Sequence, residues 1–141
     1  MKIVVFIFAL FISSSIHAQE LYRFKIIEII DGDTIRIDAP FLPKELKQTL
    51  LLRIYGVNTP EKGFRAKCSR ENLMALNAKL YVEQEIKNGK DIFVILYKWD
   101  KYGGRVLGDL IIDGVPLNQK LIESNYATPY YGKGKKKNWC Y

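Results

Sequence analysis

Residues 50–61, LLLRIYGVNTPE, decide how the rest of this chain is interpreted. The first part is an apolar run typical of a β-strand, and it carries one cation, Arg53, before Gly56 breaks the run into a turn. Glu61 follows that turn, eight positions after the arginine. An arginine inside an apolar strand is costly unless it is paired. The stretch therefore predicts a strand and a turn that bring a cation and a carboxylate to one small volume.

Two other segments supply charges of the same kinds. Residues 31–34, DGDT, place two acids at a tight turn, and residues 100–105, DKYGGR, place a second arginine beside glycines. Acids and two arginines with no histidine nearby suggest phosphate chemistry. Each motif also has a plain structural interpretation. Asp-Gly is a common hairpin turn, Asn-Thr-Pro is a common turn, and Glu61 could be an acid in the first turn of a helix.

The first 18 residues have the pattern of a secretory signal peptide. Lys2 precedes an apolar run, and small residues end at Ala18, where we expect cleavage. The run is shorter than the roughly 20 residues that a membrane span needs. We therefore expect a secreted or periplasmic protein with one domain over residues 19–131 and a basic C-terminal arm over residues 132–141.

Loss of that segment would remove His17, the only histidine of the chain. Histidine-based triads and histidine-ligated zinc are then excluded. A general base must be a carboxylate, a lysine or a tyrosine. A metal must accept oxygen ligands, as calcium, magnesium and manganese do.

The net charge of +7 suggests a polyanionic partner, and it fits nucleic acid, anionic lipid or acidic polysaccharide. The two cysteines, Cys68 and Cys140, allow one disulfide bond. In an oxidising compartment we favour the pair, which would contribute about 4 kcal/mol by closing a loop of roughly 70 residues. Two free thiols are the alternative.

The apolar periodicity predicts a mainly β chain of the α+β class. The long helix carries Leu73, Leu76 and Leu80 on one face. Strands are expected over residues 21–30, 34–38, 49–55, 91–97 and 106–112, and helices over residues 65–87 and 116–124. This mixed order favours a small five-stranded barrel closed by helices over a doubly wound sheet.

Taken together, the motifs resemble the staphylococcal nuclease (thermonuclease-like) family. The matching pieces are DGDT, Arg53 with the Thr-Pro-Glu at 59–61, DKYGGR, and Asn118 with Tyr126-Ala127. The resemblance covers about residues 21–131. It implies an OB-fold barrel with two to three helices, and a calcium-dependent nuclease that cleaves DNA and RNA to leave a 3′-phosphate.

The resemblance also implies roles for particular residues. The catalytic set would be Arg53, Glu61 and Arg105, with the arginines on the phosphate and the glutamate activating water. The calcium ligands, or those of magnesium or manganese, would be Asp33, Asn58 and the Thr59 carbonyl, supported by Asp31. The residues beside the nucleotide would be Lys101, Tyr102 and Tyr131.

The chain departs from the family pattern at two places. Asn58 stands where the family has an aspartate ligand, and an extra glycine precedes Arg105. A catalytically silent OB-fold module that binds single-stranded nucleic acid is therefore the competing hypothesis. A third is an envelope protein whose lysine arm meets anionic lipid. We expect a monomer that prefers single-stranded DNA or RNA.

Overall fold

Five long strands form the framework of the protein. The computed structural model describes residues 19–141, so the predicted signal peptide lies outside the described residues. The strands are β1 (Ile26–Asp31), β2 (Thr34–Asp38), β3 (Thr49–Ile54), β4 (Val57–Asn58), β5 (Ile92–Trp99), β6 (Arg105–Ile112), β7 (Val115–Pro116) and β8 (Thr128–Pro129). The helices are α1 (Ser69–Asn88) and α2 (Leu117–Glu123), and a 3₁₀ turn covers Gly63–Arg65.

The long strands form one mixed sheet in the order β1-β2-β3-β6-β5. All neighbouring pairs are antiparallel except β3 and β6, which run parallel. Tyr22 and Val94 exchange two backbone hydrogen bonds of 2.9 and 2.7 Å, which links the segment before β1 to the opposite edge strand. Within residues 19–141 no continuous ladder closes the barrel. The predicted mainly β, α+β class is confirmed, and the sheet with two helices is consistent with an OB fold.

The core lies between the sheet and the two helices. Alternation in β2 and β3 buries one side of each strand, and α2 adds two fully buried leucines. The largest fully buried aliphatic side chains are Ile35, Ile37, Leu52, Ile54, Leu110, Ile112, Leu117 and Leu121. The other side of β3 carries Leu51 and Arg53. The charged side chain of Arg53 thus lies on the side of β3 that faces away from this core.

The long helix begins later than predicted and buries a different face. It starts at Ser69, because residues 63–65 form the 3₁₀ turn. Its leucines at 73, 76 and 80 are about half exposed, whereas Ala75, Ala78 and Val82 are buried. A Cβ on Gly32 would lie 2.9 Å from the Ala78 Cβ, so the helix approaches the acidic turn too closely for a leucine. Small residues therefore face the sheet and the leucines face outward.

The chain end packs against the domain. Trp139 is buried, and a disulfide bond joins Cys140 to Cys68, the N-cap residue of α1. Over residues 19–141, no helix has both the length and the hydropathy that a membrane span requires.

One buried carboxyl has no catalytic assignment. Asp109 in β6 is 1% exposed, and its Oδ1 accepts hydrogen bonds from the Leu110 and Asn118 amides at 2.8 and 3.3 Å. Its Oδ2 has no hydrogen-bond partner among the described residues. Burial raises the pKa of Asp109 to about 7, and the amide bonds offset burial only in part.

This raised pKa predicts a pH-dependent stability. Between its ordinary pKa of 3.8 and about 7, Asp109 binds a proton in the folded state more than in the unfolded state. The free energy of unfolding should therefore fall as the pH rises through this range, by up to about 1.4 kcal/mol per pH unit. In Asp109→Asn this contribution should be absent. Urea unfolding of both proteins from pH 4 to pH 8 measures the difference, and parallel curves would contradict the assignment.

Candidate active site

A buried ion pair lies at the centre of the charged cluster. The Arg53 guanidinium contacts Asp33 Oδ2, and both side chains are almost fully buried. The same oxygen accepts hydrogen bonds from the Thr59 amide at 3.1 Å and the Thr59 hydroxyl at 2.8 Å. Burial alone would raise the pKa of Asp33, but the Arg53 charge and the Thr59 bonds outweigh burial and lower it. Asp33 is therefore held as a carboxylate.

Asp31 lies directly beside this pair. Its Oδ1 accepts a 3.2 Å hydrogen bond from the Asp33 amide, and its Oδ2 lies 3.6 Å from Arg65 Nη2. Burial, followed by the charge of Asp33, raises the pKa of Asp31 to about 6. The DGDT turn thus concentrates two acids in a confined space, as its spacing predicted.

Glu61 is positioned by groups from three directions. Its amide donates a 3.3 Å hydrogen bond to Oε1 of Glu71, a buried acid in the first turn of α1. Its own Oε2 lies 3.4 Å from Arg65 Nε, and its Oε1 lies 3.5 Å from Lys136 Nζ. Arg65 therefore connects Glu61 to Asp31, and the Glu61 carboxylate lies between two cations.

The second predicted arginine begins β6. Arg105 donates hydrogen bonds of 3.0 and 2.6 Å to Asp100 Oδ2 across the hairpin turn. Gly103 and Gly104 both have φ near +70°, a conformation that glycine adopts without strain. The extra glycine is therefore absorbed by the turn. Because Arg105 pairs with Leu51 and Arg53 pairs with Leu107, the two arginines lie on the same side of the sheet.

A cleft of about 360 Å³ opens between this hairpin and residues 130–133. Lys101 and Tyr131, two residues predicted to lie beside the nucleotide, line it, whereas Tyr102 is exposed next to Lys101. The cleft also has aromatic and basic walls that the sequence did not suggest, from Tyr55, Lys98, Trp99, Tyr130 and Lys133. The Val57 carbonyl, which accepts a 3.1 Å bond from Arg53 Nη2, connects this cleft to the acidic cluster.

Sequence reasoning missed the groups that hold Glu61 and Arg105. They are Arg65, Glu71, Asp100 and Lys136. One signal was available for Glu71, because it stands three residues after the N-cap Cys68, the spacing of a capping box. Asn58 ends β4 and is buried, as is Thr59 beside it, whose amide and hydroxyl bind Asp33.

The contribution of the central ion pair can be measured by removing its cation. Arg53→Met should lower the free energy of unfolding by about 3–5 kcal/mol at neutral pH, because it leaves the Asp33 carboxylate buried without compensation. Arg36 pairs at 3.2 Å with the exposed Glu28 on the neighbouring strand and gives the matched control. Arg36→Met should cost no more than about 1 kcal/mol. Equal losses in urea unfolding would show that the Asp33 pair is not special.

The comparisons with known proteins identify the family of the chain. The model of the staphylococcal nuclease homologue family matches residues 51–140, which is more than half of the chain. The match includes Arg53, Glu61, Arg105 and both cysteines. No curated protein is significantly similar to the chain. The chain belongs to the family of staphylococcal nuclease homologues.

Proposed function

We propose that this protein is an exported, calcium-dependent nuclease that hydrolyses phosphodiester bonds in DNA and RNA and leaves 3′-phosphate products. One observation carries the proposal: Glu61, Asp31, Asp33, Arg53 and Arg65 form a single connected cluster of acids and cations. Membership of a nuclease family supports the same activity. Magnesium or manganese could replace calcium at oxygen ligands.

Phosphodiester hydrolysis requires an activated water molecule and neutralisation of the charge that develops on the phosphoryl oxygens. Glu61 is assigned to the first task because its carboxylate is partly exposed, and Arg65 and Lys136 favour a fixed orientation. Arg53 and Arg105 are assigned to the second. Each engages an aspartate, and because a guanidinium has five N–H donors, a bound phosphate would share it with that partner.

The donor atoms near Asp33 suit a hard cation. Asp33, the Asn58 amide and the Thr59 carbonyl offer oxygen only, and Asp31 adds negative charge beside them. Within residues 19–141 no group of three or more histidine, cysteine or acidic side chains is arranged for a metal, so a main-chain carbonyl is needed to complete the set. A bound cation would supply charge stabilisation at the phosphate. Asp33 Oδ1, which accepts a 3.2 Å bond from the Thr34 hydroxyl, is the carboxylate oxygen opposite the Arg53 contact.

The cleft supports single-stranded nucleic acid as the substrate. Trp99 and Tyr131 present exposed rings, on which unpaired bases can stack, and Lys101 and Lys133 supply charge for phosphates. A duplex would keep its base faces stacked internally. We also propose that the protein acts as a monomer in an extracellular or periplasmic compartment.

A silent nucleic-acid-binding module remains the second candidate, and one observation favours it. Asn58 is neutral, and the Oδ2 atom of Asp33 is already occupied by Arg53 and Thr59. A module that only binds strands would still need the aromatic cleft, but it would have no use for Glu61 held between two cations. Hydrolysis of single-stranded DNA with calcium, compared with a chelator, separates the two candidates.

The catalytic assignments predict the behaviour of two variants. Glu61→Gln and Arg105→Ala should each reduce turnover by about a hundredfold or more, because one loses the general base and the other an electrostatic contact to phosphate. Circular dichroism should show both variants folded. The Lys87→Met variant, changed in the last turn of α1, should keep the parent rate. Parent-like hydrolysis by Glu61→Gln and Arg105→Ala would refute the roles.

Asn58, which stands where the family has an aspartate, predicts a weakened metal site. Asn58→Asp adds a carboxylate to the proposed ligand set, so it should lower the calcium concentration that gives half-maximal hydrolysis. Without metal the variant should be slightly less stable, because in the proposed ligand set its new charge would repel the Asp33 carboxylate. Calcium titrations of hydrolysis by both proteins test this. An unchanged requirement would place the side chain outside the metal's ligands, and a parent inactive at every concentration would favour the binding module.

A further inference from the structure

The basic arm is held at both ends. At its start, the Tyr130 amide donates a 2.8 Å hydrogen bond to the Gly56 carbonyl, next to the β4–β8 pair. At its end, Cys140 is bonded to Cys68, and Trp139 is 2% exposed. The intervening residues 132–138 are all exposed. The lysines of this segment are therefore carried past the active site on a backbone anchored on both sides.

Three of the four lysines of the arm lie against different groups. Lys133 lines the aromatic cleft, and Lys137 lies 4.2 Å from the centre of the Trp139 ring system. Lys136 lies 3.5 Å from Glu61 Oε1 and 5.6 Å from the centre of the Tyr130 ring. Among them Lys136 is the one whose ammonium group contacts the proposed general base.

Glu61 depends on these outside contacts for its side-chain position. Glu71 fixes the Glu61 main chain through the amide, but that bond leaves the carboxylate free to rotate. Arg65 contacts one oxygen and is also drawn towards Asp31. A second cation on the other oxygen restricts the rotation, and a general base is effective only within hydrogen-bond reach of its water.

We propose that Lys136 is a positioning residue for Glu61, and that the Cys68–Cys140 disulfide bond holds Lys136 beside the Glu61 carboxylate. The inference rests on the proposed function, because it assigns Glu61 the role of base. It adds a redox dependence: thiol reductants that cleave the bond release the arm, and the Glu61 carboxylate loses one of its two cations.

The kinetic test separates positioning from binding of substrate. Lys136→Met should lower kcat on a short single-stranded oligonucleotide about tenfold and leave KM nearly unchanged, because only the geometry of the transition state is affected. Lys136→Arg should restore kcat to within about twofold of the parent. Lys87→Met removes the same charge from the far end of α1 and should have no effect. A raised KM with an unchanged kcat would overturn the proposal in favour of a phosphate contact.

The role of the disulfide bond is tested in the same assay. The tenfold effect of Lys136→Met should shrink to about twofold or less after reduction with dithiothreitol. The Cys68→Ser/Cys140→Ser variant should behave in the same way, and serine remains a good N-cap for α1. Circular dichroism checks that the fold survives. An effect of Lys136→Met that is equal with and without the bond would overturn the part assigned to the bond.

A cross-linking measurement needs no activity, so it tells failure of this inference from failure of the nuclease function. A carbodiimide condenses a carboxylate with an amine in direct contact, and mass spectrometry then identifies the joined peptides. Glu61 should join Lys136 in the oxidised protein and lose most of this product after reduction. The Lys120–Glu85 pair, at 2.8 Å, should cross-link in both states and serves as the internal control. Absence of the Glu61–Lys136 product beside a normal control product would refute the contact.

Discussion

The contact of Arg53 with Asp33 is the interaction on which the rest of the site depends. Asp33 lies in the turn just before β2, Arg53 in β3, and Thr59 just beyond β4, so one carboxylate joins three segments of the chain. The Ile54 amide adds a 2.8 Å bond to the Asp33 carbonyl. A buried charge without a partner is costly. Any compact conformation that separates these segments would therefore leave a carboxylate or a guanidinium buried and unpaired. The ion pair thereby fixes where the acidic turn lies relative to the central strand.

The same interaction limits what the site can bind. Arg53 reduces the net negative charge of the two acids, which lowers their attraction for a cation but keeps Asp33 ionised despite its burial. A phosphate that engages Arg53 would share the guanidinium with Asp33. Attraction for the metal and for the phosphate would then be coupled through one side chain, since each draws on a member of the pair. In the proposed site, Asn58 would weaken the attraction for the metal relative to that for the phosphate, because it brings no charge of its own.

Most of the strands and helices could be predicted from the apolar periodicity of the sequence. The importance of Arg53 could be predicted from the free-energy cost of burying an unpaired charge. Arg53 stood out because a cation between Leu52 and Ile54 must have a partner, but that partner is Asp33 of the DGDT turn, whereas Glu61 pairs with Arg65 and Lys136. The leucine face of α1 misled because apolar periodicity identifies a helix but not which side is buried. The close approach of Ala78 to Gly32 decides that, and it arises from contacts distant in sequence. Arg65 and Lys136 were missed for the same reason, since each meets its partner only in the folded chain.

The chain end shows how composition can obscure structure. Lysines among glycines are typical of a solvated tail, and residues 132–138 are indeed exposed. Two residues beyond them change their behaviour, because burial of Trp139 and the bond of Cys140 to Cys68 convert the tail into a closed loop. A lysine on a free tail spends little time near any one carboxylate, whereas closure raises its effective concentration there. The position of the arm's basic charge therefore depends on a covalent bond, the Cys68–Cys140 disulfide.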